Sequence, residues 1–88
     1  MTDKIAQHRQ RIDDLDAQIL ELIEQRVNEA ISIRRLKIEK NIPLFTPDRE
    51  EALIQQLVER SAGKFPREVI ENIWMTIIKG GKQVGDGR

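Results

Sequence analysis

The sequence predicts an all-α fold of three helices, of which one is very long and two are short. Residues typical of strands are scarce, because aromatic residues make up 3% of the chain and Tyr is absent. Apolar residues instead recur at the three- and four-residue spacings of amphipathic helices. Gly and Pro lie where these patterns stop, so they divide the 88-residue chain into three segments. The length has room for one domain, 1–88.

The first helix is predicted from Asp3 to Lys40, a stretch without Gly or Pro. Thr2 or Asp3 provides the N-cap. Roughly 35 residues at 1.5 Å each span about 50 Å. Two heptad columns of apolar residues run along this helix: Ile5, Ile12, Ile19 and Ile33 in one, and Leu15, Leu22 and Leu36 in the other.

Pro43 interrupts the helical pattern, and the second helix is predicted to begin at Thr46 as N-cap with Pro47 in its first turn. Gly63 is suited to the left-handed position that ends this helix. The third helix opens after Lys64-Phe65-Pro66, and its apolar residues follow helical spacing without interruption: Val69, Ile70, Ile73, Trp74, Ile77 and Ile78.

The third helix is predicted to stop at Gly80-Gly81, which leaves 82–88 as a flexible tail.

The length of the first helix predicts a second copy of the chain. A compact 88-residue domain has a diameter of roughly 30 Å, so a helix of about 50 Å must project from it. Each bare Ile or Leu on the projecting part forfeits roughly 1.5–3 kcal/mol. We therefore expect an obligate, intertwined homodimer. The alternative is a kink near Asn28-Glu29 that folds the helix back as a hairpin.

Composition excludes several functions. Fifteen basic residues balance fifteen acidic ones, which argues against a general nucleic-acid binder. The chain has no Cys and one His, so we expect neither a disulfide nor a thiolate or multi-histidine metal site. No apolar run is long enough to cross a membrane, and the N-terminus does not resemble a signal peptide. The expected compartment is the cytoplasm.

Charged residues interrupt both apolar columns at mid-helix. Arg26 replaces an expected Ile and Glu29 an expected Leu. Lys37 lies eleven residues after Arg26, which places it about 20° from the same direction. Converging cations suit a small dianion, because Arg binds carboxylates in bidentate fashion and Lys adds a compact charge. The alternatives are an ion-pair network in which Glu29 or Glu50 neutralises Arg26, or a charge that sets helix register.

An ordered set of motifs runs through the chain: Arg9-x-x-Ile12-Asp13-x-Leu15-Asp16, then Arg26, Lys37, Pro43 and Thr46-Pro47-Asp48-Arg49-Glu50. This set resembles the all-α (AroQ-class) chorismate mutases from about Ile5 to Ile78. The resemblance implies an intertwined homodimer that rearranges chorismate, a small dicarboxylate, to prephenate. It also implies that neither a metal nor a cofactor takes part.

The resemblance implies roles for individual residues. Arg26 holds one substrate carboxylate, and Arg9 reaches into the partner's site to hold the other. Lys37 donates to the ether oxygen, which becomes enolate-like as the C–O bond breaks, and Glu50 accepts from the ring hydroxyl. Arg49 adds positive charge beside Glu50. Such a reaction needs the reactive conformer held and fixed positive charge where negative charge develops.

The sequence departs from the family pattern at three positions. Thr46, a predicted substrate-binding residue, replaces what is often an acid. Gly81 and Gly85 stand where the family usually has Ser or Thr and then Gln or Glu, so neither offers a side-chain donor. Gln83 is therefore a candidate donor to the ether oxygen, provided that the tail curls back.

Two other functions stay open on the sequence alone. The first is that the chain is a relative on the same fold that acts on isochorismate as a pyruvate lyase, or on 4-amino-4-deoxychorismate as a mutase. The third reading is a non-catalytic helical dimer that serves as a regulatory or docking module.

Overall fold

The protein forms three helices in the order α1 (Lys4–Glu39), α2 (Pro47–Ser61) and α3 (Arg67–Asp86). These come from a computed structural model that describes residues 3–45 and 47–86, without the side chain of Asp86. Within those ranges there is no strand. The predicted all-α fold, with one very long helix and two shorter ones, is confirmed.

α1 is one continuous helix of 36 residues. Asp3 is its N-cap: a side-chain oxygen accepts hydrogen bonds from the backbone N–H groups of Ile5 at 3.0 Å and Ala6 at 3.2 Å. The helix passes through Asn28 and Glu29 without interruption, so the alternative of a hairpin folded at this point is wrong.

The C-terminus of α1 is a Schellman motif. The N–H of Ile42 donates to the carbonyl of Lys37 at 2.8 Å, and that of Asn41 donates to the carbonyl of Ile38 at 3.3 Å. Asn41 has a φ of 58°, a left-handed conformation that Asn tolerates better than most residues. The reversal therefore begins at Asn41, two residues before Pro43.

The turn between α2 and α3 uses the predicted glycine. Gly63 has a φ of 82°. The hydroxyl of Ser61 accepts a hydrogen bond from the N–H of Phe65 at 3.0 Å, which ties the turn to the last residue of α2. Arg67 then joins the start of α3 to α2 through a 2.7 Å ion pair with Glu51. These contacts set the direction in which α3 leaves the turn.

The expectation that α3 stops at Gly80-Gly81 is wrong, because the helix continues to Asp86 and residues 82–86 are helical rather than an irregular tail. Two of its glycines face α1: a β-carbon on Gly81 would lie 3.4 Å from Cγ2 of Val27, and one on Gly85 would lie 3.6 Å from Cγ1 of Ile31. Each Gly costs the helix about 1 kcal/mol relative to Ala, and packing against α1 offsets that cost.

α3 packs against both other helices, and the core is small. Among the residues whose side chains are described, three are buried, one on each helix: Ile31, Ile54 and Ile70 are 8%, 2% and 5% exposed. The core therefore sits where α3 crosses between the second half of α1 and α2. This crossing brings together the parts of the three helices that form the candidate site.

The molecule is far longer than a compact chain of its size. Its extents are 63 × 31 × 15 Å, and its radius of gyration is 16.8 Å, against about 12 Å expected for a globule. All seven apolar residues of the two heptad columns are between 51% and 64% exposed. The first half of α1 thus projects with an apolar stripe uncovered in the single chain. No helix in the described ranges is long and apolar enough to cross a membrane.

Candidate functional site

A cavity of about 210 Å³ lies between the second half of α1, the start of α2 and the end of α3. Its apolar lining comes from all three helices and from the loop after α1. These apolar and glycine residues are Val27, Ala30, Ile31, Ile33, Leu44, Leu53, Ile78, Gly81 and Gly85. Such a lining lowers the local dielectric and strengthens any charge interaction inside the cavity.

The charged lining is strongly cationic. Among the described residues, one carboxylate lines the cavity, that of Glu50. Five cations accompany it: Arg26, Arg34, Lys37, Arg49 and Lys82. The chain as a whole has no net charge, so this excess of positive charge is a property of the cavity rather than of the composition. The cavity is therefore built to hold an anion with more than one negative charge.

Arg26 and Lys37 form one wall of the cavity, as their helical spacing predicts. Both are partly buried, and they lie about 16 Å apart along α1. Long side chains from the two ends of this wall can reach an anion held between them. Glu29 is exposed and does not line the cavity. Within the described ranges Arg26 forms no ion pair with Glu29 or Glu50, so the structure does not show the predicted alternative of a neutralising network.

Glu50 comes from the first turn of α2, beside Arg49. Its side chain is 23% exposed, and its Oε1 accepts from the ammonium Nζ of Lys82 at 3.4 Å. Glu50 is thus held between α2 and α3 as the one hydrogen-bond acceptor with a full negative charge in the described lining.

Two predicted substrate-binding residues, Arg9 and Gln83, are not part of this cavity. Arg9 is exposed on α1, seventeen residues and about 25 Å along the helix from Arg26. Gln83 is exposed on α3, about 150° around the helix from the side that lines the cavity. A contact between Gln83 and a ligand here would need α3 to rearrange. Thr46 lies outside the described residues.

Two of the five described cations, Arg34 and Lys82, are not among the residues that the sequence predicts for the site. Arg34 lies three residues before Lys37, a spacing that puts both on neighbouring parts of one helix face, but the pair Arg34-Arg35 is equally typical of a solvated helix surface. Lys82 falls in the predicted tail, because the sequence predicts that α3 ends at Gly80-Gly81, whereas the observed helix carries Lys82 to the cavity. Continuing the helix through the glycines would have placed Lys82 next to Gly81 on the inner face.

The arrangement favours binding and charge stabilisation over covalent catalysis. The described lining contains no Ser, Cys or His, which are the usual nucleophiles and bases. It offers fixed cations on helices and one carboxylate. These groups can hold a dianion in one conformation and stabilise negative charge that develops on it.

Comparison with known proteins identifies the family. The family model described as "Chorismate mutase type II" matches residues 8–85, nearly the whole chain. The chain belongs to the chorismate mutase type II family. The predicted resemblance to the all-α chorismate mutases is confirmed, and the cationic cavity lies within the matched segment.

Solved chorismate mutases share this fold. Form II of the chorismate mutase from Thermus thermophilus superposes with a TM-score of 0.88 at 28% identity, and the match covers 96% of each chain. Form I of the same enzyme superposes with a TM-score of 0.84 at 30% identity, over 90% of this chain and 99% of that one.

Relatives that are similar in sequence also carry chorismate mutase in their names. The bifunctional chorismate mutase/prephenate dehydratase of Aquifex aeolicus (strain VF5) is 30% identical over 80 residues, which are 86% of this chain and 22% of that protein. The chorismate mutase of Methanocaldococcus jannaschii is 33% identical over 57 residues, which are 65% of this chain and 58% of that protein. The chain thus spans about a fifth of the bifunctional relative and somewhat more than half of the other.

Proposed function

We propose that this chain catalyses the rearrangement of chorismate to prephenate as an intramolecular isomerase. The observation that carries the proposal is the cavity of a chorismate mutase type II family member, whose described residues line it with five cations and one carboxylate. Chorismate is a dicarboxylate, so its charge complements that lining. The relatives compared above are named as chorismate mutases or as bifunctional proteins with that activity, which favours this reaction over the alternatives on the same fold.

The mechanism needs no external acid, base or nucleophile, because the reaction takes place within one molecule. Arg26 binds a substrate carboxylate in bidentate fashion and holds the reactive conformer. Lys37, on the same wall, donates to the ether oxygen as the C–O bond breaks and negative charge develops there. Glu50 accepts a hydrogen bond from the ring hydroxyl, and Arg49 adds positive charge near it.

The second carboxylate is held by Arg9 of another copy of the chain in an intertwined homodimer. The position of Arg9 supports this, because it is about 25 Å from Arg26 and its own cavity is out of reach. The seven exposed apolar residues in the two heptad columns of α1 also support it, because a second long helix packed along the first would cover them. Substrate contacts by Thr46 and Gln83, and the cytoplasmic location, stay predictions from the sequence.

The experiment mixes the purified protein with chorismate and follows the loss of its ultraviolet absorption, while mass spectrometry identifies the product. We expect prephenate to appear at a rate proportional to protein concentration, and chorismate to raise the melting temperature. In a parallel incubation with isochorismate, formation of pyruvate and salicylate would instead indicate the lyase. Absence of turnover together with an unchanged melting temperature would contradict the proposal and favour a non-catalytic helical module.

A further inference from the structure

The last turn of α3 carries a lysine into the cavity. Because the helix continues through Gly81, the next residue, Lys82, lines the cavity instead of belonging to an irregular tail. Its Nζ lies 3.4 Å from Oε1 of Glu50 on α2. The close approach of Gly81 and Gly85 to α1 brings this turn of α3 over the cavity.

This ion pair changes what Glu50 can accept. A carboxylate has two oxygens, and the ammonium of Lys82 occupies Oε1, while Oε2 can accept a hydrogen bond from a neutral hydroxyl. A substrate ammonium at the same place would have to share the charge of Glu50 with Lys82 and would lie beside a like charge. Glu50 is 23% exposed and Lys82 is 55% exposed, so solvent screens the ammonium strongly and the carboxylate only in part.

We propose that Lys82 determines specificity: it positions Glu50 and makes the cavity select a dicarboxylate with a neutral hydroxyl on its ring over one with an ammonium there. The inference rests on the proposed function and goes further, because it names the chemistry that the site rejects. Lys82 acts through Glu50 and is therefore a positioning residue. The other cations of the cavity also disfavour a substrate ammonium, because the described lining has a single carboxylate to balance them.

The test compares Lys82→Gln with Lys79→Gln, a matched change of an exposed α3 lysine that does not line this cavity. Each change is made in the Lys37→Ala background, in which the rearrangement is slow enough for binding to be measured. Calorimetry gives the Kd values of chorismate and of 4-amino-4-deoxychorismate. Circular dichroism checks that every variant is folded, and Lys82→Arg tests whether charge alone is sufficient.

Because the lysine of this ion pair is half exposed, we expect Lys82→Gln to shift the ratio of the two Kd values about threefold toward the amino compound, whereas Lys79→Gln and Lys82→Arg leave it unchanged. A folded Lys82→Gln protein with an unchanged ratio would overturn the role of Lys82. That outcome differs from failure of the proposed function, in which the parent protein, with Lys37 intact, does not convert chorismate to prephenate at all.

Discussion

Gly81 of α3 faces Val27 of α1 so closely that a β-carbon on the glycine would lie 3.4 Å from the Cγ2 methyl of the valine. Both residues also line the cationic cavity. The absence of a side chain at Gly81 thus leaves one side of the cavity without a polar group, at a place where a methyl group would just reach van der Waals contact with Val27.

Alanine substitutions separate packing from helix propensity. A β-carbon on Gly80 would meet nothing within 4 Å, so Gly80→Ala is expected to raise the free energy of unfolding by about 0.5–1 kcal/mol. Gly81→Ala has the same gain in propensity, and its β-carbon would meet Cγ2 of Val27 at 3.4 Å, an ordinary van der Waals contact, so its rise is expected to be at least as large. Urea unfolding at one fixed protein concentration measures both. A smaller gain for Gly81→Ala would contradict the observed packing.

Gly81→Ser places a hydroxyl donor on the cavity wall. One added hydrogen bond to bound substrate is worth about 0.5–1.5 kcal/mol, so kcat/KM for chorismate is expected to rise about threefold to tenfold. Gly80→Ser is the matched control, because Gly80 does not line the cavity and its kcat/KM should stay at the parent value. Equal values for the two serine variants would show that position 81 does not contact the substrate.

The proposed exchange of Arg9 between subunits is tested by mixing inactive variants. Arg9→Ala and Lys37→Ala chains are unfolded together and refolded, so that half of the dimers contain one chain of each kind. Each mixed dimer has one site with every wild-type residue, so about a quarter of parental activity should return. Mixing Arg26→Ala with Lys37→Ala is the control, since both residues belong to the same chain's cavity and no intact site forms. Rescue in the control, or its absence in the first mixture, would contradict the shared site.

Much of the fold is predictable because it depends on local patterns. The heptad columns of α1 and the caps at Asp3 and Gly63 follow from residue type alone. The end of α3 does not, because Gly80 and Gly81 have low helix propensity and the helix continues where Gly81 and Gly85 pack on α1. Tertiary packing there outweighs propensity, and a single helix pattern does not contain that information.

Some residues of the candidate site are likewise predictable from a local pattern, and others are not. Arg26 and Lys37 are predictable because they lie on one stripe of one helix. Arg34 and Lys82 are not, since nothing local distinguishes a cation that faces a cavity from one that faces solvent. The position of Lys82 also depends on where α3 ends, and the low helix propensity of Gly80-Gly81 predicts an end before this residue.

The most direct measurement of the central claim is kcat/KM for chorismate in Lys37→Ala, beside the parent protein and Arg35→Ala. Arg35 is an exposed cation on the same helix that does not line the cavity. Removing a donor from developing negative charge costs about 10²–10³ in rate, so Lys37→Ala should lose that much while its helical circular dichroism and its melting temperature stay near those of the parent. Arg35→Ala should keep the parental rate. A folded Lys37→Ala protein that rearranges chorismate as fast as the parent would contradict the account.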